Sequence, residues 1–247
     1  MNFFSLFKRK ILYKLKKKIN IDNDSINFKT LDELLYFYGS DKSNIFKKNN
    51  LSGHGFSKFY SYHLNNIKKK KIRILEIGSF SGASAAAFSK YFDQSTIFCF
   101  DINISNFVYS SKNIHVFGLD INNINSVNKA LKKIKSLSKV EMFDVIVDDG
   151  SHYLSDILFS LKTFFKLVNK GGFYIIEDYK HPNYYQYNFN IDDILVDKLL
   201  SHLKTREFFK SNLIKRSEQA FLIENIKDIN IHKGCLKDSD ICFIERK

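Results

Sequence analysis

Apolar positions along this chain change their period several times, and each change marks an element. Phe4, Phe7, Ile11, Leu15 and Ile19 recur every three or four residues among lysines, which predicts a basic amphipathic helix over residues 1–21. Thr30 followed by Glu33 has capping-box spacing. Leu31, Leu34, Leu35 and Phe37 carry that start into a second helix, which stops at Tyr38 and Gly39. Residues 38–60 are polar, with Gly39, Gly53 and Gly55 as breakers, and read as a loop region. A short helix to Ile67 completes an N-terminal helical region over residues 1–66, and Lys68 to Lys71 mark its boundary.

From there a main domain over residues 67–247 is regular. Strands are predicted at residues 72–77, 96–101, 114–117, 143–147 and 173–176, alternating with helices at 83–91, 124–134 and 154–168. Such alternation gives a doubly wound, parallel sheet. A further helix over about 192–209 precedes strands at 229–232 and 241–245, whose connection is short enough only for an antiparallel hairpin. The predicted fold is therefore α/β and Rossmann-like, a mostly parallel seven-stranded sheet ending in an antiparallel hairpin, with helices at the N-terminus.

Composition adds partners more than structure. With 44% hydrophobic residues, 25 Phe and 13 Tyr in 247 residues, the chain has ample material for a core. Its net charge of +13 favours anionic ligands without choosing among nucleotides, phosphorylated sugars, nucleic acid and a membrane surface. Abundant Lys, Asn and Ile also fit plain coding bias. The basic helix at residues 1–21 suits an anionic membrane, a partner, or packing on its own domain with solvated lysines. Cys99, Cys235 and Cys242 are odd in number and widely spaced, which argues against a disulfide framework. No apolar run reaches the roughly 18 residues of a membrane span, and no signal-peptide pattern is present. The cytoplasm is the expected location, at the inner face of the membrane if the basic helix docks there.

Candidate chemistry gathers at strand ends. Glu76 leads into Gly78, Ser79, Phe80 and Gly82, and small residues then open a helix. Phe80 stands where a dinucleotide fingerprint has its second glycine, so a pyrophosphate is disfavoured. Asp101 ends the next strand, where a carboxylate can take both hydroxyls of a ribose. Turn and acid together point to an adenosyl ligand without a pyrophosphate; the plainer reading is a tight turn with Asp101 as a cap. Further on, Asp148, Asp149 and His152 follow one strand and Glu177 and Asp178 follow the next. Carboxylates crowded at strand ends repel unless a cation sits among them. Asp148, Asp149 or Ser151 is alternatively a helix cap, and His152 a structural hydrogen-bonder.

These motifs resemble a family. The ExGxxxG run at Glu76 to Gly82, Asp101, the Gly118-Leu119-Asp120 run and the reversed hairpin are similar to class I S-adenosylmethionine-dependent methyltransferases. YGSDKS at Tyr38 to Ser43, DDGSH at Asp148 to His152 and GGFYIIED at Gly171 to Asp178 are similar to the macrocin- and mycinamicin-type bacterial sugar O-methyltransferases. The resemblance implies a cofactor site of Glu76, Gly78, Ser79 and Gly82, with Asp101 on the ribose and Leu119 and Asp120 at the adenine. Asp41 and Lys42 are expected near cofactor or acceptor. It implies a divalent metal, Mg²⁺ first, on Asp149, Glu177 and Asp178, with His152 as general base; Asp148 is left without a part.

The implied function is metal-assisted O-methylation of a sugar hydroxyl in carbohydrate biosynthesis. The acceptor is a nucleotide-linked or surface-polysaccharide sugar such as a capsule precursor, because basic charge suits a diphosphate and Tyr184 to Tyr187 can cover a sugar face. A homo-oligomer is expected. Methylation of nucleic-acid bases is disfavoured, since the single proline, Pro182, is followed by Asn183 and forms neither the Pro-Pro nor the Pro-Cys motif those enzymes use. Specific nucleic acid is therefore not an expected partner. The alternatives are an RNA ribose methyltransferase, a catalytically silent S-adenosylmethionine-binding protein, and a cephalosporin hydroxylase-like branch of the same fold.

Overall fold

The computed structural model describes residues 3–25, 27–28, 30–139 and 141–247. Its helices and strands, in chain order, are α1 (Phe3–Leu15), β1 (Ile19–Asn20), α2 (Leu31–Tyr38), β2 (Ile45–Phe46), β3 (Leu51–Ser52), α3 (Ser57–Leu64), β4 (Lys71–Ile77), α4 (Ala83–Tyr91), β5 (Gln94–Asp101), β6 (Tyr109–Ser110), β7 (Ile114–Gly118) and α5 (Ile124–Ser138). There follow β8 (Phe143–Asp148), α6 (Leu154–Phe164), β9 (Val168–Glu177), α7 (Val196–Thr205), α8 (Arg216–Asn225), β10 (Ile226–Lys233) and β11 (Asp240–Arg246). The main sheet has the seven strands that the sequence pattern predicts, in the order β10-β11-β9-β8-β4-β5-β7. The chain divides into two compact units, one reaching Glu141 and including residues 234–237, the other made of residues 142–233 and 238–247.

In the first unit β4 pairs parallel with β5, and β5 with β7. Ala85, Ala86 and Ala87 of α4 are fully buried. Small side chains on a buried helix allow close packing, and Tyr60, Phe88, Phe92, Phe98 and Phe107 fill the rest of this core. The capping box of α2 forms as its spacing requires: Thr30 N–H donates to Glu33 Oε2 (2.9 Å) and Glu33 N–H to Thr30 Oγ1 (3.2 Å). Gly39, at φ +79°, closes the helix.

The helix expected over residues 1–21 ends instead at Leu15, and its expected first two residues, Met1 and Asn2, lie outside the described residues. The reason is tertiary. Ile19 and Asn20 leave the helix to pair parallel with Tyr109 and Ser110, and Ile21 is fully buried.

In the second unit β8 and β9 run parallel, while β11 is antiparallel to both β9 and β10. The reversed hairpin is thus present. The helix expected to Val168 stops at Phe164, followed by a 3-10 turn, and β9 begins at Val168 rather than Phe173. Gly172 makes this early start workable, because a Cβ there would fall 2.5 Å from Asp144 O. The helix expected over 192–209 is trimmed to α7, and α8, which the pattern does not announce, follows it. Among the described residues no helix is long and apolar enough to cross a membrane.

Candidate active site

In the first unit the end of β4 turns sharply. Gly78 (φ +87°), Phe80 (φ +41°) and Gly82 (φ +80°) all adopt left-handed backbone, a costly conformation for Phe80 that persists only where the surroundings impose it. Asp101 supplies part of that constraint: Phe80 N–H donates to its Oδ2 (2.7 Å) and Asn103 N–H to its Oδ1 (2.5 Å). So Asp101 does cap the turn, as the plainer reading holds. Each carboxylate oxygen keeps a further lone pair for a hydroxyl.

Glu76 is fully buried and accepts from Ser84 Oγ (2.5 Å). Ser79, also buried, donates to Glu76 O. Leu119 is buried with its N–H on Asp101 O (3.0 Å), and Asp120 accepts from Asn122 N–H (3.1 Å). Strand β5 and the residue after β7 therefore meet at Asp101.

Lys42 and Asp41 separate. Lys42 is buried and its carbonyl accepts from Phe56 N–H (2.9 Å), whereas Asp41 has a mostly exposed side chain 4.0 Å from His54 Nε2. Gly53 seals this loop, since a Cβ there would lie 2.1 Å from Ser43 O.

In the second unit Asp149, His152 and Asp178 each bring one ligand atom to within 4.8 Å of the others. His152 Nε2 lies 3.6 Å from Asp149 Oδ1. An octahedral Mg²⁺ with bonds of about 2.1 Å separates its donors by about 3 Å in cis and about 4.2 Å in trans, and of this group the carboxylates of Asp149 and Asp178 are the oxygen donors such a hard ion prefers. Two of the three residues sit on left-handed backbone, His152 at φ +57° and Asp178 at φ +48°. Glu177 lies outside this group and is buried at the end of β9. Successive strand residues point to opposite faces, so Glu177 at the end of β9 and Asp178, on left-handed backbone just past it, do not share a direction.

Asp148 acquires a role. It is buried; Tyr174 OH donates to its Oδ2 (3.0 Å) and sits 2.8 Å from Ser160 Oγ. Burial pushes its carboxyl up to about 6, against the opposing pull of the hydrogen bonds from Ser160 and Tyr174. It fixes the end of β8 against α6 and β9. Ser151 serves the start of α6, accepting from Tyr153 N–H (3.3 Å) and donating to Asp156 Oδ2 (2.5 Å).

His181 escaped the sequence pattern. Its ring lies 5.6 Å from that of His152 and 4.9 Å from Tyr185, and Tyr187 continues the series to Tyr153. Its buried Nδ1 has no hydrogen-bond partner among the described residues. The only signal was its place three residues after Asp178, matching the spacing of His152 after Asp149.

No family model matches the chain. Among curated relatives, a Streptomyces olivaceus protein named 8-demethyl-8-(2-methoxy-alpha-L-rhamnosyl)-tetracenomycin-C 3'-O-methyltransferase is 30% identical over 136 residues, covering 51% of this chain and 32% of its own length. The L-olivosyl-oleandolide 3-O-methyltransferase of Streptomyces antibioticus is 31% identical over 157 residues (60% and 36%), and the mycinamicin VI 2''-O-methyltransferase of Micromonospora griseorubida 27% over 133 (51% and 31%). The resemblance to sugar O-methyltransferases of the mycinamicin type therefore holds, although the chain spans only about a third of these relatives. Among solved structures, the MycE methyltransferase of the mycinamycin pathway, in complex with Mg and SAH, superposes with a TM-score of 0.66 at 22% identity, over 88% of this chain and 55% of that one. The fold is that of a class I methyltransferase.

Proposed function

We propose that the chain is an S-adenosylmethionine-dependent, divalent-metal-assisted O-methyltransferase acting on a sugar hydroxyl. The observation that carries this reading is the convergence of Asp149 and Asp178, oxygen donors suited to a hard cation, with His152, an imidazole suited to proton removal. The named activities of the relatives support it. S-adenosylmethionine supplies a methyl that already bears its leaving group, and a divalent ion supplies Lewis acidity that lowers the pKa of a bound hydroxyl.

The chain's own residues then have separate tasks. Asp101 and the turn from Gly78 to Gly82 bind the donor, with Leu119 and Asp120 at its adenine. Asp149 and Asp178 hold the cation, joined by Glu177 on the family pattern. His152 takes the hydroxyl proton, oriented by Asp149 3.6 Å away. The exposed rings of Tyr153, Tyr185 and Tyr187 offer faces to the sugar. The acceptor is a nucleotide-linked sugar or a polysaccharide precursor such as one destined for a capsule, and the enzyme works in the cytoplasm as a homo-oligomer. A net charge of +13 favours the diphosphate handle.

The test is mass gain of a panel of nucleotide sugars and neutral glycosides incubated with the protein, S-adenosylmethionine and Mg²⁺. Chelator, Asp149→Ala and Asp178→Asn are each expected to cut turnover at least about a hundredfold, and His152→Ala by a similar factor. Glu177→Gln separates a ligand from a buried neighbour by whether Mg²⁺ affinity falls. Turnover indifferent to both chelator and Asp149→Ala overturns the metal mechanism.

A further inference from the structure

Among the described residues, helix α1 is anchored along the side that carries Arg9 and Tyr13. Arg9 Nη1 donates to Ile102 O (2.9 Å), Tyr13 packs edge-on against Phe107, and Lys16 and Lys18 beyond the helix donate to the carbonyls of Ser105, Asn106 and Phe107. Another side of the helix is exposed to solvent. Phe4, Phe7, Ile11 and Leu15 recur every three or four residues and are 73%, 53%, 43% and 78% exposed. Solvent exposure of four large apolar side chains in one stripe is unfavourable and marks a surface meant to be covered.

The stripe borders a groove. A cavity of about 620 Å³ lies between α1 and the pair β7 and α5, lined by Phe7 and Ile11 and, on its apolar floor, by residues of β7. Lys10 and Lys14 rise from the α1 wall and Lys129 and Lys133 from the α5 wall. Helices α1 and α5 carry four basic residues each and neither contains an acidic one.

We infer that this face docks on an anionic lipid surface, the apolar stripe entering the acyl boundary and the four lysines meeting lipid phosphates. Charge decides among occupants. A second copy seated here would oppose lysines to lysines, whereas an anionic leaflet neutralises them and accepts the exposed phenylalanines. A basic helix with an apolar stripe and no carboxylate has the composition of an interfacial helix rather than of a spanning one. The groove shares Leu119 with the proposed adenine contacts, but the apolar stripe and the four lysines on which the inference rests belong to none of the proposed donor, metal or proton-transfer residues.

Flotation of the full chain with lipid vesicles tests it. Vesicles of phosphatidylcholine with about a third phosphatidylglycerol are expected to carry the protein at about 0.1 M NaCl and to release most of it at about 0.5 M. Phe4→Ser with Leu15→Ser, both outward-facing, and separately Lys129→Glu with Lys133→Glu, are each expected to lower partitioning at least about tenfold while thermal unfolding is unchanged. Equal recovery with pure phosphatidylcholine, or no flotation at all, overturns the inference. So does a wild-type dimer in size exclusion that the stripe variant converts to monomer, since a second copy then covers the face.

Discussion

At Gly82 two constraints coincide that Gly39 separates. Its φ of +80° is left-handed, and a Cβ there would lie 2.3 Å from Cζ of Phe107, a fully buried ring that has nowhere to go. Gly39 has nearly the same φ, +79°, but open space where a Cβ would point. Gly39→Ala should therefore cost only the conformational part, roughly 1–2 kcal/mol. Gly82→Ala adds a clash in a packed core and should cost roughly 2–4 kcal/mol while weakening S-adenosylmethionine binding at least tenfold. Chemical denaturation of both variants with calorimetric titration of the donor checks this. Equal destabilisation by the two substitutions would show that the Phe107 contact does not constrain the turn. The same scale explains why five acidic or histidine side chains in two short motifs do not all converge. Alternation along β9 sends Glu177 to one face, and only the left-handed step at Asp178 turns the next carboxylate toward Asp149 and His152.

Elements differ in how visibly they are written. The α2 boundaries were legible because their cause is local, a Thr30–Glu33 box at one end and a left-handed glycine at the other. Strands β4, β5, β8 and β9 were legible because each ends where apolar residues give way to glycine or acid. What was hidden depends on distant partners. Nothing within residues 16–21 announces that Ile19 will pair with Tyr109. Helix α8 is short with little segregation of apolar residues, and its position is set by the loop before it. That loop is organised by Asp192, which the pattern assigned to a helix. Buried, it accepts from Ser211 Oγ (2.7 Å) and from the N–H groups of Asn212 (3.1 Å) and Leu213 (3.0 Å). Asp192→Ala strands these donors, and at about 1–3 kcal/mol for a buried group left unpaired should lower stability by roughly 2–4 kcal/mol. The corresponding fall in melting temperature is about 5–15 °C. A shift under about 2 °C would mean that water replaces the carboxylate and that the loop is held by its apolar contacts instead.

For the whole molecule, the excess of positive charge separates two acceptor types that the site chemistry treats alike. In the proposed reaction His152 and its acidic neighbours need only a hydroxyl, and the exposed tyrosines need only a sugar face. The relatives' names give a rhamnosyl tetracenomycin and mycinamicin VI as acceptors and name no phosphate, while this chain bears +13. Screening discriminates, because the Debye length falls from about 10 Å at 0.1 M salt to about 4–5 Å at 0.5 M. If the acceptor is nucleotide-linked, its KM should rise about three- to tenfold over that range while kcat changes little, since the diphosphate contributes binding rather than chemistry. Free nucleoside diphosphate should then inhibit competitively, with the same salt dependence. A neutral glycoside turned over with a KM indifferent to salt would place the acceptor with those of the relatives and leave the lysines to solvent and to the α1 surface.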